Sequence, residues 1–187
     1  MKKAIILHGT MGSPEGNWFR WLESEFLERG FEVWVPQLPN PQQPSLAECS
    51  DFVQAECPFV IDENTLIVGH SSGSILAVVV AQKYNNKIGA IVCVSAFHDN
   101  SLGWDANNKL FDVQLNCDNV AKNVETRLFL HSDDDPYLPI EQGEFVAKAC
   151  DGEFLVFPGQ GHFNLEKSES YKQFPLLLKL LQSRNLI

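Results

Sequence analysis

The chain has 187 residues, 44% of them apolar and 20% charged, which suits one folded domain with a well-buried core. Its formal charge of −10 repels phosphate backbones and anionic lipid headgroups, so nucleic-acid binding and membrane docking are not expected. The five cysteines are odd in number and irregularly spaced, with no C-x-x-C pair, so neither a zinc site nor a disulfide framework is signalled and free thiols are expected.

The N-terminal apolar run covers only residues 4–7 before His8-Gly9, shorter than the roughly 7–15 residues of a secretory core. No run approaches the roughly 18 apolar residues that cross a bilayer. A cytoplasmic, single-domain protein spanning 1–187 is the expectation.

Residues 4–7 read as a buried strand. Residues 14–29 read as a helix, with Ser13 as N-cap, Pro14 at the first helical position and Gly30 as the stop. Residues 31–35 form the next strand, and the proline-rich stretch 37–44 a loop. Ser45-Leu46-Ala47-Glu48 is a capping-box pattern opening a second helix. Residues 65–68 are a third strand, 72–84 a very apolar third helix, and 88–95 a fourth strand continuous in Ile, Val and Cys. Such unbroken apolar strands indicate a sheet covered on both faces. Residues 96–122 read as a long irregular segment. A fifth strand (124–130), a helix (140–149), a sixth strand (154–157) and a last helix (168–183) follow. Strands alternating with helices predict an α/β protein with a six-stranded, mostly parallel sheet and helices on both faces. In such folds, ligands bind at the C-terminal ends of the strands.

Gly69-His70-Ser71-Ser72-Gly73 matches G-x-S-x-G. The pattern alone is weak, but here it stands directly between an apolar strand and an apolar helix, where a nucleophilic serine must project from a sharp turn. Ser71 is the candidate nucleophile, and the start of the following helix aims positive dipole at a developing oxyanion.

A serine needs a base, and the base an orienting acid. His162 lies in Pro158-Gly159-Gln160-Gly161-His162-Phe163, just past the last strand, and is preferred over His98 and His131. The acid should follow the fifth strand, where Asp133, Asp134 and Asp135 are adjacent. Asp135 is favoured because Pro136 stiffens the chain beside it. Asp134 is the alternative, and Asp133 and Asp134 read as solvent-facing charge. The oxyanion donors are expected to be the N–H groups of Ser72 and Thr10, with His8 structural. Trp18, Trp104, Tyr137 and Phe163 are candidates for a substrate pocket.

His8-Gly9, Trp18, the G-x-S-x-G motif, Ser132-x-x-Asp135-Pro136-x-x-Pro139 and Gly161-His162-Phe163 together resemble the small α/β-hydrolase family that includes retinoblastoma-binding protein 9. The resemblance spans about residues 3–180. It implies a minimal, lidless α/β-hydrolase fold, serine hydrolase activity on small ester or amide substrates without metal or organic cofactor, and Asp135 as the acid. Two other readings are a non-catalytic protein-binding module on the same scaffold and metal-dependent hydrolysis through residues 131–135.

Overall fold

A computed structural model describes residues 1–99 and 109–187. Six parallel strands, β1 (Lys3–Leu7), β2 (Glu32–Trp34), β3 (Thr65–His70), β4 (Ile88–Val94), β5 (Val124–His131) and β6 (Glu153–Val156), pair in the order β2-β1-β3-β4-β5-β6. The helices are α1 (Phe19–Glu28), α2 (Leu46–Glu56), α3 (Ser72–Gln82), α4 (Cys117–Asn123), α5 (Ile140–Ala149) and α6 (Pro175–Ser183). The chain thus has the α/β-hydrolase fold in a minimal form.

Strand residues alternate between two cores. Ile5, Leu7, Ile67, Ile91, Cys93 and Phe129 face the layer containing α2, α3, α4 and α5. Ala4, Ile6, Leu66, Val68, Val92 and Leu130 face α1 and α6. This period of two, with both faces apolar, is why the central strands read as unbroken hydrophobic runs. Helix α3 is buried from Ser72 to Ala81, so the central part of the sheet rests against an apolar helix that begins at the elbow serine.

Three local expectations are corrected. Helix α1 begins at Phe19 and not at Pro14, because Asn17 adopts a left-handed φ of 47° that a helix interior does not accept. Its Oδ1 instead accepts a bond from Leu165 N–H at 3.1 Å. At the other end Gly30, with φ 78°, terminates the helix as expected.

Within the stretch read as irregular, α4 forms. Asn116 Oδ1 accepts the Asn119 N–H at 3.1 Å, Asp118 and Lys122 complement the helix dipole, and Val120 packs into the core. The final helix is split, since Pro175 starts α6 only after a short 3₁₀ turn at Glu169–Lys172.

The cysteines are also corrected. Cys117 and Cys150 form a disulfide joining the start of α4 to the end of α5, while Cys49, Cys57 and Cys93 are free. The pair is separated by 33 residues and brought together only by the packing of both helices on one face of the sheet. Among the described residues, no helix is long and apolar enough to cross a membrane.

Candidate active site

Strand β3 runs into α3 through Ser71, whose backbone has φ 55° and ψ −124°. This left-handed conformation is costly for a serine, on the order of 1–2 kcal/mol, and it is held from outside. Ser71 N–H donates to Val94 O at 2.8 Å, and Ser71 O accepts Ser74 N–H at 2.9 Å. The flanking glycines have a specific physical role. A Cβ on Gly69 would lie 2.1 Å from Gly73 O, and one on Gly73 would lie 2.3 Å from Leu7 O. The strand, the turn and the helix therefore close together only with hydrogen at both positions.

The loop after β1 presses on this elbow. A Cβ on Gly9 would stand 2.9 Å from Ser71 Cβ and 3.4 Å from Ser71 Oγ. Thr10 Oγ1 donates to Ser72 Oγ at 3.0 Å, which ties the loop after β1 to the start of α3. His8 anchors the loop. Its Nδ1–H donates to Gly9 O at 2.9 Å and its Nε2 accepts Leu38 N–H at 3.1 Å. Burial pushes its pKa below the ordinary value, so the ring stays neutral and structural. A narrow apolar slot borders Gly9 and Ser72, lined in part by Pro41, Leu46, Leu76 and Leu110.

Asp135 and His162 meet on the loops that follow the adjacent parallel strands β5 and β6. His162 Nδ1–H donates to Asp135 Oδ2 at 2.7 Å, and the Asp135 side chain is fully buried. Ser95 Oγ donates to the same oxygen at 3.0 Å, while Oδ1 accepts the N–H groups of Tyr137 (3.0 Å) and Leu138 (3.2 Å). Burial opposes ionisation of Asp135, but the His162 hydrogen bond and charge, with the two N–H donors, outweigh it. The carboxyl is held below the ordinary carboxylate range. A neutral His162 that donates through Nδ1 carries its free lone pair on Nε2. Among the described residues, no hydrogen bond joins Ser71 Oγ to His162. The elbow and the histidine loop are joined instead by His70, whose Nε2–H donates to His162 O at 2.7 Å.

The neighbouring aspartates are not idle surface charge. Asp133 Oδ1 accepts Gly159 N–H at 2.8 Å, and Asp134 Oδ1 accepts Gly161 N–H at 2.6 Å. Asp134 also pairs with Lys167 Nζ at 2.6 Å. That lysine, first among several donors, lowers the Asp134 pKa strongly. Three consecutive aspartates thus hold residues 159, 161 and 162 of one loop, although Asp133 and Asp134 are themselves exposed.

The pocket expectations divide. Trp18 and Phe163 are fully buried and belong to the α1/α6 core, not to a substrate pocket. Gly161 and Phe163 both have left-handed backbones (φ 57° and 51°), and the Phe163 ring packs inward, tilted against Phe174 with ring centroids 5.2 Å apart. Trp104 lies outside the described residues. Tyr137 is half exposed, stands edge-on to His162 with ring centroids 5.1 Å apart, and donates its hydroxyl to Glu166.

His131 is sealed beneath this loop. Its Nε2–H donates to Leu138 O at 3.0 Å and burial keeps it neutral, so it is committed to structure. His98 lies against the Phe145 ring at 4.0 Å. Among the described residues, no group of three His, Cys, Asp or Glu side chains is placed to hold a metal. Reasoning from sequence missed Ser95, His70 and the loop-holding bonds of Asp133 and Asp134. For Ser95 a signal existed, since it directly follows a strand's C-terminal end beside the elbow.

The chain is similar to several known proteins. It is 26% identical over 184 residues to the YdeN protein of Bacillus subtilis (strain 168), covering 97% of this chain and 95% of that one. The crystal structure of the ydeN gene product superposes with a TM-score of 0.88 at 24% identity, covering 98% of each chain. A serine hydrolase of Rattus norvegicus, RBBP9, is 30% identical over 168 residues, covering 86% of this chain and 87% of the relative. Est1E from Butyrivibrio proteoclasticus, solved with bound ferulic acid, shares the fold with a TM-score of 0.72 at 19% identity, over 97% of this chain and 90% of that one. The family model described as serine hydrolase matches residues 4–183, and the chain therefore belongs to the serine hydrolase family.

Proposed function

We propose that the protein hydrolyses ester or amide bonds of small substrates through Ser71, His162 and Asp135, by way of an acyl-enzyme. The observation that carries this reading is the 2.7 Å bond between His162 Nδ1 and the buried Asp135 carboxylate, on a loop bonded directly to the residue before the strained Ser71. In catalysis, Ser71 Oγ attacks the carbonyl carbon while His162 Nε2 takes its proton. Asp135 holds the imidazole in that tautomer and stabilises the imidazolium. The carbonyl oxygen becomes an oxyanion, bound by the Thr10 and Ser72 N–H groups. As the tetrahedral intermediate collapses, His162 returns the proton to the departing alcohol or amine. A water, deprotonated by His162, then releases the acid and restores Ser71.

The narrow apolar slot beside Gly9 and Ser72 supports a small acyl group. Tyr137, exposed beside His162, is the candidate contact for the leaving group. The test is labelling with a fluorophosphonate probe, together with hydrolysis of acetate, butyrate and octanoate esters and of aminoacyl amides. Wild type should be labelled and should prefer the short esters, and Ser71→Ala should lose both labelling and turnover. A folded wild type that is neither labelled nor active would favour a binding module instead.

A further inference from the structure

Two buried ring N–H groups converge on consecutive carbonyls of the histidine loop. Trp18 Nε1–H donates to Phe163 O at 3.0 Å, and His70 Nε2–H donates to His162 O at 2.7 Å. Trp18 is fully buried and His70 nearly so. Their ring centroids are 5.9 Å apart, and His70 lies 4.9 Å from the His162 ring. The donors come from 145 and 92 residues away in the chain, so neither bond is local turn chemistry.

The loop needs outside support. Gly161 and Phe163, on either side of His162, are both left-handed, and for phenylalanine that conformation persists only where surrounding contacts over-determine it. Packing alone does not explain the choice of side chains. A phenylalanine at position 18 would be apolar throughout, with no buried N–H to satisfy, at the cost of a smaller ring. An imidazole at position 70 is more expensive still to bury, and burial with the neighbouring His162 pushes its pKa down to about 3. It therefore remains a neutral donor and adds no positive charge beside His162.

We propose that Trp18 and His70 are positioning residues for His162, fixing its backbone through the 162 and 163 carbonyls so that its Nδ1 stays on Asp135. This rests on the reading of His162 as the base. The histidine loop is then held on two sides, its N–H groups by Asp133 and Asp134 and its carbonyls by Trp18 and His70. The residue between the motif's first glycine and its serine gains a role of its own, linking the nucleophile's turn to the base's loop.

The test uses Trp18→Phe, His70→Phe and His70→Gln, each checked for folding by near-ultraviolet circular dichroism. With a short ester, Trp18→Phe and His70→Phe should lose about tenfold or more in kcat while KM moves less than about twofold. His70→Gln, which keeps an N–H donor, should recover part of that loss. Because both donors act on one backbone segment, the double Phe variant should lose less than the product of the single losses. A second readout does not need turnover: the His162 Nδ1–H proton signal in NMR should be protected in wild type and lost to exchange in both Phe variants. Folded variants with wild-type kcat and an undisturbed Nδ1–H signal would overturn the positioning role. An unlabelled, inactive wild type would overturn the hydrolase reading instead, while the NMR comparison would still decide whether the two rings hold His162. If Trp18→Phe does not fold, the His70→Gln and His70→Phe pair carries the same comparison.

Discussion

Ser95 Oγ and Asp135 Oδ2 stand 3.0 Å apart, and that oxygen is the one that receives His162 Nδ1–H. Ser95 follows β4 directly, fully buried, with a left-handed φ of 54°. Its own N–H is held by Leu130 O at 2.8 Å. The Asp135 carboxylate, on the loop after β5, is thus steadied by a hydroxyl from the end of the adjacent strand. Removing this hydroxyl in Ser95→Ala leaves the carboxylate with three donors. His162 should then be oriented less firmly, so kcat on a short ester should fall by about tenfold or less. Loss of a charge-assisted hydrogen bond should also lower stability by about 1.5–3 kcal/mol. Turnover of a short ester and a urea midpoint, compared with wild type, read both effects.

The elbow glycines should tolerate no side chain. With backbone oxygens 2.1 and 2.3 Å from the added Cβ positions, Gly69→Ala and Gly73→Ala each force the helix, the strand or β1 to move. Either should cost about 3 kcal/mol or more. The denaturation midpoint and the soluble yield are the measurements, with Gly159→Ala as the contrast. Gly159 has open space around it, so that variant should pay only for its left-handed φ of 74°, about 1 kcal/mol.

Three histidines should make stability fall on mild acidification. Burial lowers the pKa of His8, His70 and His131, that of His70 to about 3, against about 6.5 in the unfolded chain. Below that value the unfolded state binds protons that the native state refuses. Stability is therefore lost as pH drops from about 6.5, with a limiting slope of about 1.4 kcal/mol per pH unit for each histidine. Asp135 acts in the same direction but lower. Its depressed pKa contributes stability above about pH 3.9, which is lost as pH falls through the folded value. Urea midpoints should therefore decline between about pH 7 and 5.5, above the range in which Asp135 titrates, and unfolding at about pH 5.5 should take up protons, about one of them at His70.

The Cys117–Cys150 bridge closes a loop 33 residues apart in sequence, for which chain entropy predicts about 3–4 kcal/mol of stabilisation. Unfolded without reductant, the protein should show three titratable thiols, Cys49, Cys57 and Cys93, and with reductant all five. Double replacement by serine should lower the midpoint as much as reduction does.

By itself, the sequence determined what neighbouring residues can settle among themselves. The strand and helix order follows from hydrophobic period, and the elbow from a serine and two glycines between an apolar strand and an apolar helix. The capping of α2 follows from Ser45, whose Oγ accepts Glu48 N–H at 3.0 Å. Helix α4 was legible in the same way, through Asn116, Asp118 and Lys122, but its polar composition masked it. Tertiary structure alone decided matters that depend on contacts across dozens of residues. It turned Trp18 and Phe163 into the core, drew Ser95 to Asp135, joined Cys117 to Cys150, and gave each of three adjacent aspartates a different backbone or side-chain partner. A carboxylate, an indole N–H or a thiol carries the same local propensity whether it meets solvent or a partner. Which of these it meets depends on where the packed sheet places the other end of the bond.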